Sequence, residues 1–424
     1  MKEHAQRLAL HNEVHARPPE PMHAPLAISH VVMVADAPAR EESRAHLIQL
    51  LRDHHLPVPD GQANHLRVDG GSWRLRWELH TEFVTWTFMT DATSGLPKPD
   101  EYGLALKKMP QKWLQALPGE CLSRINLWAK RTNNLQDREE LHQQFREDSM
   151  VACELVDGEA TLHTDFQIDP DGCSRMLLRV GNLSPRRLGR LVQRLLEIET
   201  YRMMALLGLP LARQAAAGLA VAEHELADLA LAIRSAHLDE EADLLDRLTR
   251  LAGQVESAYA SQHPRFSASR AYFELVDRRI QDIRETRIKG YQSIGEFMDR
   301  RLTPARSTCE WVARRQTAIS ERVSRMSHLL QTRVDFQQEQ SSQALLTAMN
   351  RRQGMQLKLQ TTVEGLSVAA ITYYITGLIH YIAEGFQAKG WIQEPTFVTA
   401  LSVPVIAATV WWITRRLHHK VFKT

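Results

Sequence analysis

The chain has 424 residues, a formal net charge of +2, 44% hydrophobic and 24% charged residues. That length allows more than one domain and a large core. So balanced a charge argues against nucleic acid as a partner, because neutralising phosphates takes a concentrated basic face.

Met1 to Leu10 carries Lys2, Glu3, His4 and Arg7, which leaves no uninterrupted apolar stretch for a secretory leader. The bulk of the chain is expected in the cytoplasm. His11, Glu13, His15 and Arg17 follow, a cluster dense in groups that bind metals or anions, and Pro18-Pro19 stiffens the backbone behind it. His-x-x-x-His suits zinc on a helix, but the prolines oppose helix and no third ligand is specified. A hydrogen-bonded tether of the terminus onto a sheet is the expected role.

Ala27 to Val34 predicts a strand and Pro38 to Arg52 an amphipathic helix. Trp73, Leu75, Trp77 and Leu79 alternate with Arg74, Arg76, Glu78 and His80, the period of a half-buried strand, and Phe83 to Phe88 is its antiparallel partner. Glu78, His80 and Glu82 imitate a carboxylate–histidine site, yet alternation puts them on a polar face where solvated decoration is expected. Leu162, Thr164, Phe166 and Ile168 predict another strand, Asp169-Pro170-Asp171-Gly172 a turn, and Met176, Leu178 and Val180 the returning strand. Cys121, Cys153, Cys173 and Cys309 form no CxxC pair, so they are expected to be buried thiols in a reducing compartment.

After Ser184 the apolar period becomes about 3.6. Leu188, Leu191, Leu195 and Ile198 predict a helix that ends at Gly208-Leu209-Pro210; residues 211–235 and 239–262 predict an antiparallel helix pair ending before Pro264, with no strand beyond. From Pro304 onward, Ile319, Val323, Met326, Leu330 and Val334 are spaced by threes and fours without a proline, predicting one long helix. Continued through Phe386, roughly eighty residues at about 1.5 Å each reach on the order of 120 Å. The polar break Gln337 to Gln343 interrupts its apolar seam, either as a solvated face or as the lining of a wet oligomer axis.

Leu366 to Phe386 and Thr396 to Ile413 are apolar, and each can cross a bilayer core of about 30 Å. Arg351, Arg352 and Lys358 precede the first; Arg415, Arg416, Lys420 and Lys423 follow the second, so a hairpin with both termini in the cytoplasm is expected. The other reading is a buried soluble hairpin. Within the first span Tyr373, Gly377, His380 and Glu384 fall at i, i+4, i+7 and i+11, one helix face, which is the candidate pore or proton-relay surface. Against this stand a wet Glu384 at the interface and a His380 bonded to a neighbouring helix.

His11 to Pro19, His80-Thr81-Glu82-Phe83, Leu196 to Arg202, Leu329 to Asp335 and Gln360 to Ser367 together resemble an uncharacterised bacterial membrane-anchored family, domain of unknown function 3422. That resemblance covers almost the whole chain and implies a membrane anchor, with no activity, substrate or catalytic residue. The layout is also similar to CorA-type magnesium channels and their zinc-transporting relatives: an α/β domain, helices, a stalk helix, two C-terminal spans and a basic tail. Thr332 to Asp335, Gln340 and Leu345-Leu346 are similar to stalk sequence there. Where those transporters carry a Gly-Met-Asn signature this chain has Ala383-Glu384-Gly385-Phe386, so magnesium selectivity is not carried over.

The resulting expectation is an α+β chain of CorA-like architecture: residues 1–182 an α/β cytoplasmic domain, 183–303 a helical subdomain, 304–364 a stalk and 365–424 a transmembrane hairpin. Membrane lipid and further copies of the chain are the expected partners, and a divalent cation is the one small ligand suggested. No serine nucleophile elbow, Walker loop or GxGxxG turn is present, so no catalytic residue is assigned and an enzyme is not expected. A cation transporter or channel in the inner membrane is the leading reading; a non-conducting scaffold or sensor assembled through the stalk is the alternative.

Overall fold

The computed structural model describes residues 3–8, 10–11, 18–59, 61, 63–132, 144–237, 240–388, 390 and 394–421. The chain divides into two compact units, Met1–Ser327 and His328–Thr424.

The first unit is built on one nine-stranded sheet: β1 (Leu26–Val34), β2 (His65–Asp69), β3 (Arg74–Leu79), β4 (Phe83–Asp91), β5 (Glu120–Arg131), β6 (Val151–Leu155), β7 (Ala160–Thr164), β8 (Ser174–Val180) and β9 (Thr286–Arg287). They lie in the order β2-β3-β4-β1-β5-β8-β7-β6-β9. β5 and β8 run parallel, and the other neighbours are antiparallel.

Period-two alternation sends successive side chains to opposite layers. One layer holds α1 (Ala37–Asp53), α2 (Leu104–Lys107) and α3 (Gln111–Gln115). There Val31, Met33, Leu75, Trp77, Trp86 and Phe88 pack with Leu47, Leu50, Leu51 and Trp113. The other layer holds α4 (Pro185–Leu206), whose Leu188, Leu191, Val192, Leu195 and Ile198 cover Leu26, Ile28, Met89, Leu127 and Leu178. The sheet is therefore covered on both faces. Instead of the half-buried strand expected from Trp73 to His80, Arg76 and Glu78 lie beneath α4 with side chains 7% and 13% exposed.

Further expectations are corrected. The strand through Leu162 stops at Thr164, because the Thr164 hydroxyl accepts from the Phe166 amide and Asp165 from that of Gln167, turning Phe166 into the left-handed region. The helix expected to end before Pro264 runs on as α6 (Glu241–Ile283). A proline removes one helical hydrogen bond, and here Phe266, Phe273, Val276 and Ile283 beyond it bury enough apolar surface to offset that loss. After α6, the two residues of β9 pair with the edge of β6, a strand too short to leave a period in the sequence. Of the four thiols, none in a disulfide, Cys153, Cys173 and Cys309 are buried as expected, whereas Cys121 is exposed.

α5 (Gly208–Ser235) and α6 form the expected antiparallel pair; α7 (Ile294–Arg301) then leads into α8 (Thr303–Ala388), an 86-residue helix. Within the first unit α8 buries Val312, Ile319 and Val323. It is tied to α5 by two Arg315–Glu223 hydrogen bonds of 2.6 and 2.5 Å, and to α6 by Gln316–Gln262 at 2.5 Å and Arg306–Asp277 at 2.7 Å. The second unit consists of the rest of α8 and α9 (Pro395–Val421).

Among the described residues three helical stretches are long and apolar enough to cross a membrane by length and composition: Pro185–Ser235, Thr303–Gln387 and Pro395–Arg416. The first goes beyond the two expected. A third of its apolar window, 33%, is buried inside the unit, against 6% and 0% for the other two. Its α5 part buries Leu219, Leu226 and Leu229 and is in contact with α6.

Candidate functional site

Two polar clusters stand out, one in each unit. The first is a cavity of about 220 Å³ between the sheet and α4, walled by β1, β3 and β4 and closed at one side by Arg279 of α6. Alternation along β3 aims Arg76 and Glu78 into it, and on α4 the spacing of Gln193, Glu197 and Thr200 at i, i+4 and i+7 sets a polar stripe opposite them.

The side chains connect. Arg76 donates to Glu78 at 2.7 Å and to the Gln193 carbonyl oxygen at 3.3 Å. Gln193 donates onward to Glu197 at 2.7 Å, and Glu197 accepts from Arg279. Arg279 continues to Asp282 at 3.1 Å. The chain of hydrogen bonds thus joins β3, α4 and α6. Each guanidinium has a carboxylate partner, the condition under which charge is held in a desolvated interior.

His30 of β1 lies in the same wall, 5% exposed. Its Nδ1 meets Thr87 Oγ1 at 2.8 Å and its Nε2 meets Thr200 Oγ1 at 3.0 Å. The Thr200 hydroxyl already donates to the Leu196 carbonyl at 2.8 Å, so it accepts from Nε2–H, and with burial disfavouring a second ring proton Nδ1 accepts from Thr87. That is a neutral imidazole. Burial, aided by the Arg76 and His80 charges and opposed by Glu78, pushes its pKa down to about 4. Thr85, 3% exposed, also lines the cavity, and its buried hydroxyl has no hydrogen-bond partner within the protein.

The expectation of solvated decoration for Glu78, His80 and Glu82 is therefore corrected. Glu78 is under α4, His80 stacks on Phe83 at 4.3 Å, and Glu82 accepts from Tyr272 at 2.9 Å and from Arg265 at 3.0 Å. Burial, with Glu82 adding, pushes the Tyr272 hydroxyl up, so it remains a donor. One mouth of the cavity is closed by the segment leading into β1, where Met22 donates its amide to the Pro185 carbonyl at 3.0 Å. α4 passes this segment so closely that a Cβ on Gly189 would overlap the Glu20 carbonyl.

A larger groove of about 780 Å³ opens beside β5. Its wall is mostly apolar, and its buried carboxylate, Glu199, is closed by Arg202 on the same helix.

The second cluster lies where α8 and α9 meet. His380 Nδ1 is 3.1 Å from Thr399 Oγ1 on α9, and Thr399 donates to the Pro395 carbonyl at 2.9 Å, so His380 is the donor. His380 Nε2 lies 3.4 Å from Glu384 Oε1. Of the four residues expected on one face, the structure joins these two. Tyr373 is 77% exposed, and a Cβ added to Gly377 would touch nothing within 4 Å.

At the other end of the chain His11 is exposed, while Glu13, His15 and Arg17 lie outside the described residues. Among the described residues no group of three or more histidine, cysteine or acidic side chains converges as a metal site.

Sequence reading missed Thr399 as the partner of His380, and missed the cavity as a unit. The signal for the cavity was available in the polar stripe Gln193, Glu197 and Thr200 at i, i+4 and i+7 on α4.

No curated protein and no solved structure matches the chain at significant similarity, and the likeness to CorA-type transporters is not shown by these comparisons. The family described as protein of unknown function DUF3422 matches residues 2–421. With nearly the whole length matched, the chain belongs to the DUF3422 family.

Proposed function

We propose that the protein is a membrane-anchored homo-oligomer of CorA-like layout, in which the α8 face bearing Tyr373, Gly377, His380 and Glu384 lines a polar interior that passes a divalent cation. The observation that carries this reading is an ionisable pair, His380 and Glu384, on a helix whose apolar window is only 6% buried in the single chain. Hydrocarbon is a costly neighbour for such groups, on the order of 3 kcal/mol for a charged side chain at the centre of a span. Further copies of α8 would cover them. Phe336, Leu345, Met349 and Leu357, all exposed on α8, supply apolar surface for that assembly. The cations that flank the two apolar helices support a cytoplasmic-membrane location with both termini inside.

One observation favours a non-conducting scaffold or sensor instead. The His380–Thr399 bond satisfies Nδ1 within the chain, as polar contacts between membrane helices do when they only fasten the helices together. Cation flux into liposomes holding the purified full-length protein separates the two. Divalent entry that is abolished by His380→Ala and Glu384→Ala supports a conduit; absence of flux across a series of ions returns the scaffold.

A further inference from the structure

We infer that the cavity beneath α4 is a binding site for a small zwitterion of the α-amino-acid kind. The site lies wholly in the first unit, so the inference is independent of whether the second unit conducts.

The cavity presents both signs of charge, with the His80 imidazole beside them. Arg76 and Arg279 face it, and so do Glu78 and Glu197. His30 adds no charge, since its two ring nitrogens are occupied by threonine hydroxyls in the neutral form. A ligand with only negative charge would gain from the guanidiniums and be repelled by the carboxylates; a simple cation meets the reverse. A molecule bearing a carboxylate and an ammonium a few bonds apart satisfies both, and it enters a desolvated pocket without adding net charge. Size agrees, because about 220 Å³ holds a small metabolite and falls below the range of drug-sized pockets.

Thr85 supplies an independent pointer. Thr85 lines the cavity, and its buried hydroxyl has no hydrogen-bond partner within the protein. A buried hydroxyl without a partner forfeits its hydration. A ligand oxygen or ammonium in the cavity gives it one. An apolar occupant would leave it, and the four charged groups, worse solvated than before.

Occupancy would be felt beyond the cavity wall. Arg279 belongs to α6, and α6 is bonded to the first turns of α8 through Asp277–Arg306 and Gln262–Gln316. A zwitterion competing for Arg279 and Glu197 changes the polar chain that links α4 to α6.

Calorimetric titration of the full-length protein in detergent tests the site, using glycine, alanine, serine and glutamine as zwitterions. Acetate and inorganic phosphate serve as anions, and methylammonium and magnesium as cations. Saturable binding is expected for one or more of the amino acids and for none of the singly signed probes. Thr85→Val should weaken that binding about tenfold, the loss of a hydrogen bond to a charged group, and Thr85→Ser should restore it. Because Thr85 has no hydrogen-bond partner within the protein, the valine variant should melt no lower than wild type without ligand, which separates lost binding from lost fold. Failure of every amino acid to bind overturns the inference. So does binding that Thr85→Val leaves unchanged, or acetate or methylammonium binding as tightly as the zwitterions.

Discussion

His30 and His380 are both held by threonine hydroxyls, yet they sit in opposite surroundings. His30 is sealed between a sheet and a helix, with each nitrogen matched and the ring neutral. His380 has one nitrogen matched by Thr399 and the other beside Glu384, and its side chain is 38% exposed. The first site is complete within one chain. The second presents open polar surface that something outside the single chain must solvate, be it water, headgroups or another copy. The same side-chain chemistry thus marks a finished interior in one unit and an unfinished one in the other.

The contrast is sharpest in acid. The folded state holds His30 at about 4, below the ordinary 6.5, so between those values the unfolded chain binds the proton and the folded chain does not. Stability from this group is complete above about pH 6.5 and is lost as pH falls toward 4, by about 3 kcal/mol over the window. Denaturant melts at pH 7 and pH 4.5 should show that loss in wild type and a smaller one in His30→Gln. Equal slopes in the two proteins would mean that His30 is not sealed.

A smaller effect belongs to the second cluster. His380→Ala removes a single helix–helix hydrogen bond, worth about 1 kcal/mol in membrane proteins. Its melting temperature in detergent should fall by no more than a few degrees. A loss as large as that at His30 would make His380 a core residue, erasing the difference between the two sites.

Much of the framework was legible in the residues. The alternation of β1, β3 and β4, the helix over Ala37–Asp53, the turn at Asp169 to Gly172 and the long helix after Pro304 each follow from a local period or a turn residue. The cavity was not legible from β3 alone. Alternation tells which face Arg76 and Glu78 share, but whether that face meets water depends on α4, more than a hundred residues away in sequence, and on Arg279 beyond it. Pro264 misled for a related reason. A proline is a local signal to stop, and the burial of Phe266 and Phe273 that carries the helix past it is tertiary. The stripe on α8 was legible as a face, while its tie to α9 required knowing which threonine stands opposite His380.

The proposed conduit requires α9 and the last part of α8 to lie in lipid. Alkaline carbonate extraction of membranes from cells producing the full-length chain asks this directly. An inserted hairpin stays in the pellet after extraction and leaves it only with detergent. Release into the supernatant by carbonate, as a soluble protein without detergent, would contradict the anchor and the conduit together.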